Sequence, residues 1–217
     1  MFYKRLAKLG GMYMFKKIAS DALGLSDIGK IIDKKDFNKV DADDYIMHED
    51  GEEIFFLIKS RTDEYCFTNL ALIHVDGTSA VSKKRLVKRY DYYRSPISNV
   101  SIETAGTIDL DCEIKFTIGG AKFSIDVDKN QIEQLKDLYK ALVRIGYIIE
   151  ENEIMLKKSE ETLTIAANAC RSGKVAEGDA SEIFKNINEY AFNWTKTNRE
   201  NYIKKDFTEV FKNYINN

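Results

Sequence analysis

Between residues 108 and 116 apolar and polar positions alternate without a break: Ile108, Leu110, Cys112, Ile114 and Phe116 against Asp109, Asp111, Glu113 and Lys115. A strand sends successive side chains to opposite faces, so this pattern predicts a half-buried strand. Gly119 and Gly120 follow, two residues free to adopt the positive φ that a two-residue hairpin needs. Closing the hairpin there sets Phe116 opposite Phe123, Ile114 opposite Ile125 and Cys112 opposite Val127, so one face stays apolar across the pair. The same register sets Glu113 against Asp126 and Asp111 against Asp128. Like charges facing each other cost stability, and three things could offset them: a bound cation, solvent screening, or cover from the basic run "KKRLVKRY" (residues 83–90). Catalysis by paired carboxylates needs acids in unequal environments within a cleft. Flat alternation puts Asp109, Asp111, Glu113 and Asp126 in equivalent ones, so a solvated face is expected.

Upstream, "EEIFFLIKSR" (52–61), "YCFTNLALIHVD" (65–76), "KKRLVKRYDYY" (83–93) and "ISNVSIETAG" (97–106) each read as strands, separated by polar turns and by Pro96. With the hairpin they make six or seven short strands, which argues for an antiparallel sandwich or barrel. Ahead of them, "MFKKIASDALGLSDIGKIID" (14–33) reads as one or two short helices punctuated by Gly24 and Gly29, and "KKDFNKVDADDYIMHEDG" (34–51) as an irregular polar connector.

After the strands, Asp128 with Gln131 forms a capping-box pattern, and Ile132, Leu135, Leu138, Tyr139, Leu142 and Val143 recur at helical spacing up to Gly146. Beyond residue 150 strand alternation vanishes. Three short helices are expected: one capped by Ser159 and stopping at Gly173, one opened by Asp179 with Glu182, and one opened by Thr197 with Glu200. About 65 residues of such helices make a marginal core, so they must dock on the sheets or on another chain. Trp194, Ile203, Phe207, Phe211 and Tyr214 are the candidate interface. The organisation expected is an N-terminal helical segment (1–45), a strand-rich domain (46–150) and a helical extension (151–217).

The 217 residues suffice for one ordinary domain and a smaller one, and 44% hydrophobic content supports a core. A net charge of −2 leaves no global footprint for nucleic acid. Cys66, Cys112 and Cys170 lie far apart among apolar neighbours, which predicts reduced, packed thiols in a cytoplasmic setting. His48 and His74 have no nucleophile or acid nearby in a triad-like word, and neither GxGxxG nor a P-loop is present. No catalytic residue, cofactor or metal is therefore expected. "MFYKRLAKLGGMYMFKK" carries five cations and no acid. It reads either as a basic anchor for an anionic membrane surface or as sequence upstream of a natural start at Met14, with residues 1–13 encoding a purine-rich ribosome site.

Three stretches, "FTNLALIHVDG" (67–77), "KKRLVKRYDYYRSPISNV" (83–100) and "IETAGTIDLDCEIKF" (102–116), resemble the bacterial pleckstrin-homology (PH) domain family over residues 52–149. The tail after residue 150 is similar to a YvbH-like oligomerisation region. The resemblance implies an α+β fold: a PH-like antiparallel sandwich or barrel of about seven strands, capped by a C-terminal helix and followed by an α-helical extension. It also implies a non-enzymatic protein that forms symmetric homo-oligomers or binds a protein partner, with a link to envelope stress. Eukaryotic relatives grip phosphoinositides with basic residues at the first hairpin loop, where this chain has only Lys59 and Arg61 beside Asp63 and Glu64. Headgroup binding of that kind is not expected here. The alternative function is peripheral membrane binding through the basic N-terminus and the basic strand.

Overall fold

The computed structural model describes residues 27–77, 85–104, 106, 110–172 and 180–215. The basic N-terminal stretch, Met14, Lys83, Lys84, Ile108, Asp109 and Asp179 lie outside them. The chain divides into two compact units. One holds the described residues up to Gly146 together with those from Asp206 onward; the other is Tyr147–Lys205.

The first unit is built on two antiparallel sheets. Strands β1 (Lys30–Ile31), β2 (Ile54–Lys59), β3 (Glu64–Thr68), β4 (Ala71–Gly77) and β5 (Arg85–Asp91) form a meander in that order. Strands β6 (Ile97–Glu103), β7 (Asp111–Ile118) and β8 (Ala121–Asp128) form the second sheet. The β7–β8 hairpin has the expected register, with Phe116 opposite Phe123, Ile114 opposite Ile125 and Cys112 opposite Val127. Gly119 and Gly120 turn it at φ 54° and 83°. Leu110 departs from expectation, being 66% exposed. Pairing stops at Asp111–Asp128 because Lys129 begins a 3-10 turn, so no partner strand carries the apolar face out to Leu110.

The run 65–76, expected as one strand, is a hairpin. Its turn is made by the Thr68 hydroxyl, which accepts from the N–H groups of Leu70 (3.1 Å) and Ala71 (2.9 Å). A threonine side chain thereby takes over donors that a continuous strand would have left to its ladder.

Residues 28–31, expected in a helix, form the seam between the sheets. Gly29 N–H donates to Asp126 O (2.9 Å) and Asp128 N–H donates to Gly29 O (3.0 Å), while Lys30 and Ile31 pair with Lys59 and Ile58 of β2. A Cβ on Gly29 would lie 2.7 Å from Ile58 and 2.9 Å from Asp126 O. This glycine lets the β8 backbone and the Ile58 side chain approach closely; it does not break a helix.

The polar connector is structural as well. Its three 3-10 turns (Lys34–Lys39, Asp41–Tyr45, His48–Asp50) place Val40, Ala42 and Ile46 with Ile32 on one face of the five-stranded sheet, against Leu57, Cys66, Ile73 and Val75. Two buried glutamates hold this strap. Glu64 accepts the N–H groups of Asp41 (3.1 Å) and Ala42 (2.6 Å) and pairs with Lys59. Glu52 accepts Met47 N–H (2.9 Å), the Thr68 hydroxyl (2.6 Å) and the Arg89 guanidinium (2.9 Å). Buried carboxylates are tolerated because every such bond is charge-assisted.

Helix α1 (Ile132–Ser172) buries Leu135, Leu138, Ala141, Leu142 and Ile145. Each of these leucines, and Ile145, contributes roughly 2 kcal/mol on burial. The helix passes through Gly146 instead of ending there. A Cβ at that position would meet Ile97 O at 2.8 Å, so the glycine lets the helix backbone lie against β6. Ser159 starts no helix either; its hydroxyl donates to Leu156 O (2.7 Å) inside α1. Helix α2 (Ala180–Tyr202) likewise runs unbroken through Thr197, and α3 (Thr208–Tyr214) begins only after the non-helical stretch 203–207. Asp206 accepts from Thr208 N–H (2.7 Å) at its start.

Candidate interaction surface

The acidic face of the β7–β8 hairpin carries its own cation. Lys115 Nζ lies 2.7 Å from a Glu113 oxygen and 3.0 Å from Glu103, and Ser124 donates its hydroxyl to Glu113. Hydrogen bonds from Lys115 and Ser124 hold the Glu113 carboxyl below its ordinary range. Asp126 is pushed the other way, by partial burial first and by the charges of Asp111 and Glu113 next. The described part of the basic run, from Arg85 onward, lies in β5 of the other sheet, where Arg85 faces Asp41 (3.7 Å), Lys88 faces Asp76 (4.0 Å) and Arg89 binds Glu52 and Asp91 (2.9 and 2.7 Å). Among the described residues no group of three His, Cys, Asp or Glu side chains is arranged to hold a metal ion.

At the first hairpin loop, Lys59 is buried with Glu64, and Arg61 reaches Asp27 at 2.8 Å. Both cations of the expected phosphate-cradle position are thus engaged by carboxylates of the same chain. Behind the loop, aromatic rings fill the space between the sheets. Phe123 of β8 stacks on Phe116 (5.1 Å) and meets Tyr65, His74 and Tyr90 edge-on at 6.2, 5.6 and 5.5 Å. Edge-to-face and offset contacts of this kind add to the energy of burial. His74 stacks on Tyr65 at 4.6 Å, with Nε2 at 3.2 Å from Asp63, as part of the core. Burial, reinforced by Asp63, Asp76 and Asp126, pushes the Tyr65 phenol up to about 12. Cys66 and Cys112 are buried free thiols, and burial raises both. No nucleophile–base pair emerges from these groups.

The five residues expected at an interface divide between the two units. Phe207 and Phe211 are fully buried in the sheet unit: Phe211 stacks on Phe55 (5.4 Å) and Phe207 meets Tyr92 edge-on (5.6 Å). Helical spacing marks a face as apolar without saying which surface covers it, and here the chain's own sheet does. Tyr214 is half-buried beside them in sequence, and Trp194 and Ile203 are half-buried in the Tyr147–Lys205 unit.

That second unit exposes other large apolar side chains: Tyr147, Ile154, Met155 and Ile165 on α1, and Ile187, Tyr190 and Phe192 on α2. Tyr147, Ile154 and Ile165 follow one another after about two and three helical turns, so they share a stripe. Ile187 and Tyr190 lie on the face of α2 that also carries Trp194. Ile165 and Tyr190 are each 69% exposed. The α2 stripe has an i, i+3, i+7 spacing that is local to one helix; only the unbroken course of α1 joins Tyr147, Ile154 and Ile165 into another.

Comparison with known proteins places these features. A family model of the bacterial PH domain matches residues 22–146. The chain belongs to the bacterial PH domain family. The matched PH region ends where the first compact unit passes into the second, at Gly146. A second family model, the YvbH-like oligomerisation region, matches residues 157–217, which take in α2 and α3. Among relatives, YvbH of Bacillus subtilis (strain 168) is 55% identical over 204 residues, covering 94% of this chain and all of that protein. YjqA of the same organism is 33% identical over 97 residues, 44% of this chain and 76% of that protein. The crystal structure of a PH-domain-containing bacterial protein from Exiguobacterium sibiricum 255-15 shares the fold with a TM-score of 0.81 and 46% identity, covering 87% of this chain and 100% of that one. The PH fold of this chain thus has antiparallel sheets, a helix at their C-terminal side, and further helices beyond.

Proposed function

We propose that this bacterial PH protein is a non-catalytic scaffold that assembles with copies of itself through the Tyr147–Lys205 unit. The observation carrying this reading is the exposure of Ile165, Ile187, Tyr190 and Phe192 on a unit of two helices. Two helices alone bury too little to be stable, and apolar stripes left open on them recruit matching surfaces. The match of residues 157–217 to an oligomerisation region supports a second copy as the matching surface. The paired state of Arg85, Lys88 and Arg89 favours this reading over a basic membrane patch. Buried free thiols at Cys66 and Cys112 suit a reducing cytoplasm.

Light scattering of the full chain against an Ile187→Asp/Tyr190→Asp variant tests the proposal. The full chain is expected to elute as an oligomer and the variant as a smaller species with an unchanged circular dichroism spectrum. A wild-type chain that stays monomeric at tens of micromolar overturns it.

A further inference from the structure

The C-terminal segment packs into the sheet unit through its side chains. Helix α3 has seven residues, too few to hold a helix unaided. Side-chain insertion holds it: Phe207 and Phe211 are fully buried, and Val210 and Ile215 nearly so. Phe211 stacks on Phe55 and lies 6.2 Å from Tyr92, which Phe207 meets edge-on. Its backbone enters through a hydrogen bond from Phe207 N–H to Asn69 O (2.9 Å), not through a strand ladder.

The receiving slot owes its framework to other residues. Asn69 N–H donates to Glu53 O (3.2 Å), its side-chain oxygen accepts from Glu53 N–H (2.9 Å), and its amide donates to Gly51 O (3.3 Å). Tyr92 N–H donates to Leu70 O (3.0 Å). Phe55 is the extra residue where the β2–β3 register shifts between Ile54 and Phe56, a bulge that re-aims its ring. None of these bonds involves the segment that fills the slot. The segment also hangs on a non-helical linker, 203–207, and lies inside the stretch that matches an oligomerisation region although its side chains are buried in the PH unit.

We propose that the slot of Phe55, Asn69 and Tyr92 is a receptor for the Phe207–Ile215 segment that accepts the segment of a second copy as well as its own, so that copies exchange C-terminal ends. Exchange of an identical element reuses existing contacts and is a low-cost route to oligomers. The inference deepens the oligomerisation reading and rests on it.

Two measurements test it. A fluorescein-labelled peptide of residues 203–217 is titrated into the full chain and into its Phe207→Ala/Phe211→Ala variant. The expectation is saturable binding at least tenfold tighter to the variant, whose tethered segment no longer competes. Absence of binding to a variant that keeps its sheet signal overturns the proposal. For a variant that fails to fold, the second measurement decides. Unlabelled and 15N-labelled full chains carrying azidophenylalanine at position 211 are unfolded together, refolded and irradiated, and links to peptides holding Phe55 or Tyr92 are read by mass. Mixed-isotope links are expected. Oligomers on light scattering with only like-isotope links overturn exchange while leaving the oligomerisation reading intact; monomers overturn both.

Discussion

Gln131, at the entry to the first helix, closes a pair of hydrogen bonds with the backbone of Ile31, 100 residues earlier: its Oε1 accepts from Ile31 N–H at 2.8 Å and its Nε2 donates to Ile31 O at 2.9 Å. A side-chain amide here stands in for a neighbouring strand. It satisfies both polar groups on the open side of β1 and ties the helix to the seam between the two sheets.

Gln131→Ala should therefore cost about 1–3 kcal/mol, since it leaves a partly buried donor and acceptor without partners. Gln131→Glu should cost at least as much, because a carboxylate would face the Ile31 carbonyl. Urea unfolding reads the loss, and amide exchange at Ile31 should quicken well before the β7–β8 hairpin opens.

Gly146→Ala is expected to destabilise the protein although alanine favours a helix by about 1 kcal/mol over glycine. The new methyl carbon would stand 2.8 Å from Ile97 O. Relieving that overlap means lifting α1 from β6, at a cost of roughly 1–3 kcal/mol for overpacking. Thermal unfolding of the variant decides; a higher Tm would contradict the account.

Glu64→Ala should release the strap over the five-stranded sheet. It removes the acceptor for Asp41 and Ala42 N–H and leaves Lys59 buried without its partner. Loss of one member of a buried pair typically costs about 3–5 kcal/mol. Lys59→Met in the same background should recover part of it. Hydrogen exchange at residues 41 and 42 should rise far more than at Ile114.

Acid should act in opposite senses on two facing residues of the β7–β8 hairpin. The folded state holds Glu113 below its unfolded pKa, so its contribution is present at neutral pH and lost as pH falls through the folded value. Asp126 is raised, so the folded state binds its proton more tightly; its contribution is complete below the unfolded value and lost as pH rises through the folded one. Asp126→Asn is thus expected to raise Tm at pH 7 and to lose that advantage on acidification below the ordinary carboxylate range. Glu113→Gln should lower Tm at pH 7 and converge on wild type in acid.

Where local pattern and tertiary demand agree, the chain was legible. The alternation from Cys112 to Phe116 with two glycines after it determined the hairpin and its register to the residue, because a one-residue slip would turn the whole apolar face to water. Strands β2 and β5 to β8 and the start of the first apolar helix followed from the same periodicities. What sequence left undecided is how one residue type is used. Gly29 and Gly146 look like breaks, yet each permits a backbone contact whose other half lies dozens of residues away or more. The polar run 34–51 has no apolar period, and it is a lid only because Glu52 and Glu64 wait beneath it with buried oxygens. Phe207 and Phe211 show an amphipathic stripe in either case; whether a stripe faces its own sheet or another molecule depends on where the chain returns in space. Periodicity is local and was read directly; the choice of partner is non-local, and only packing made it.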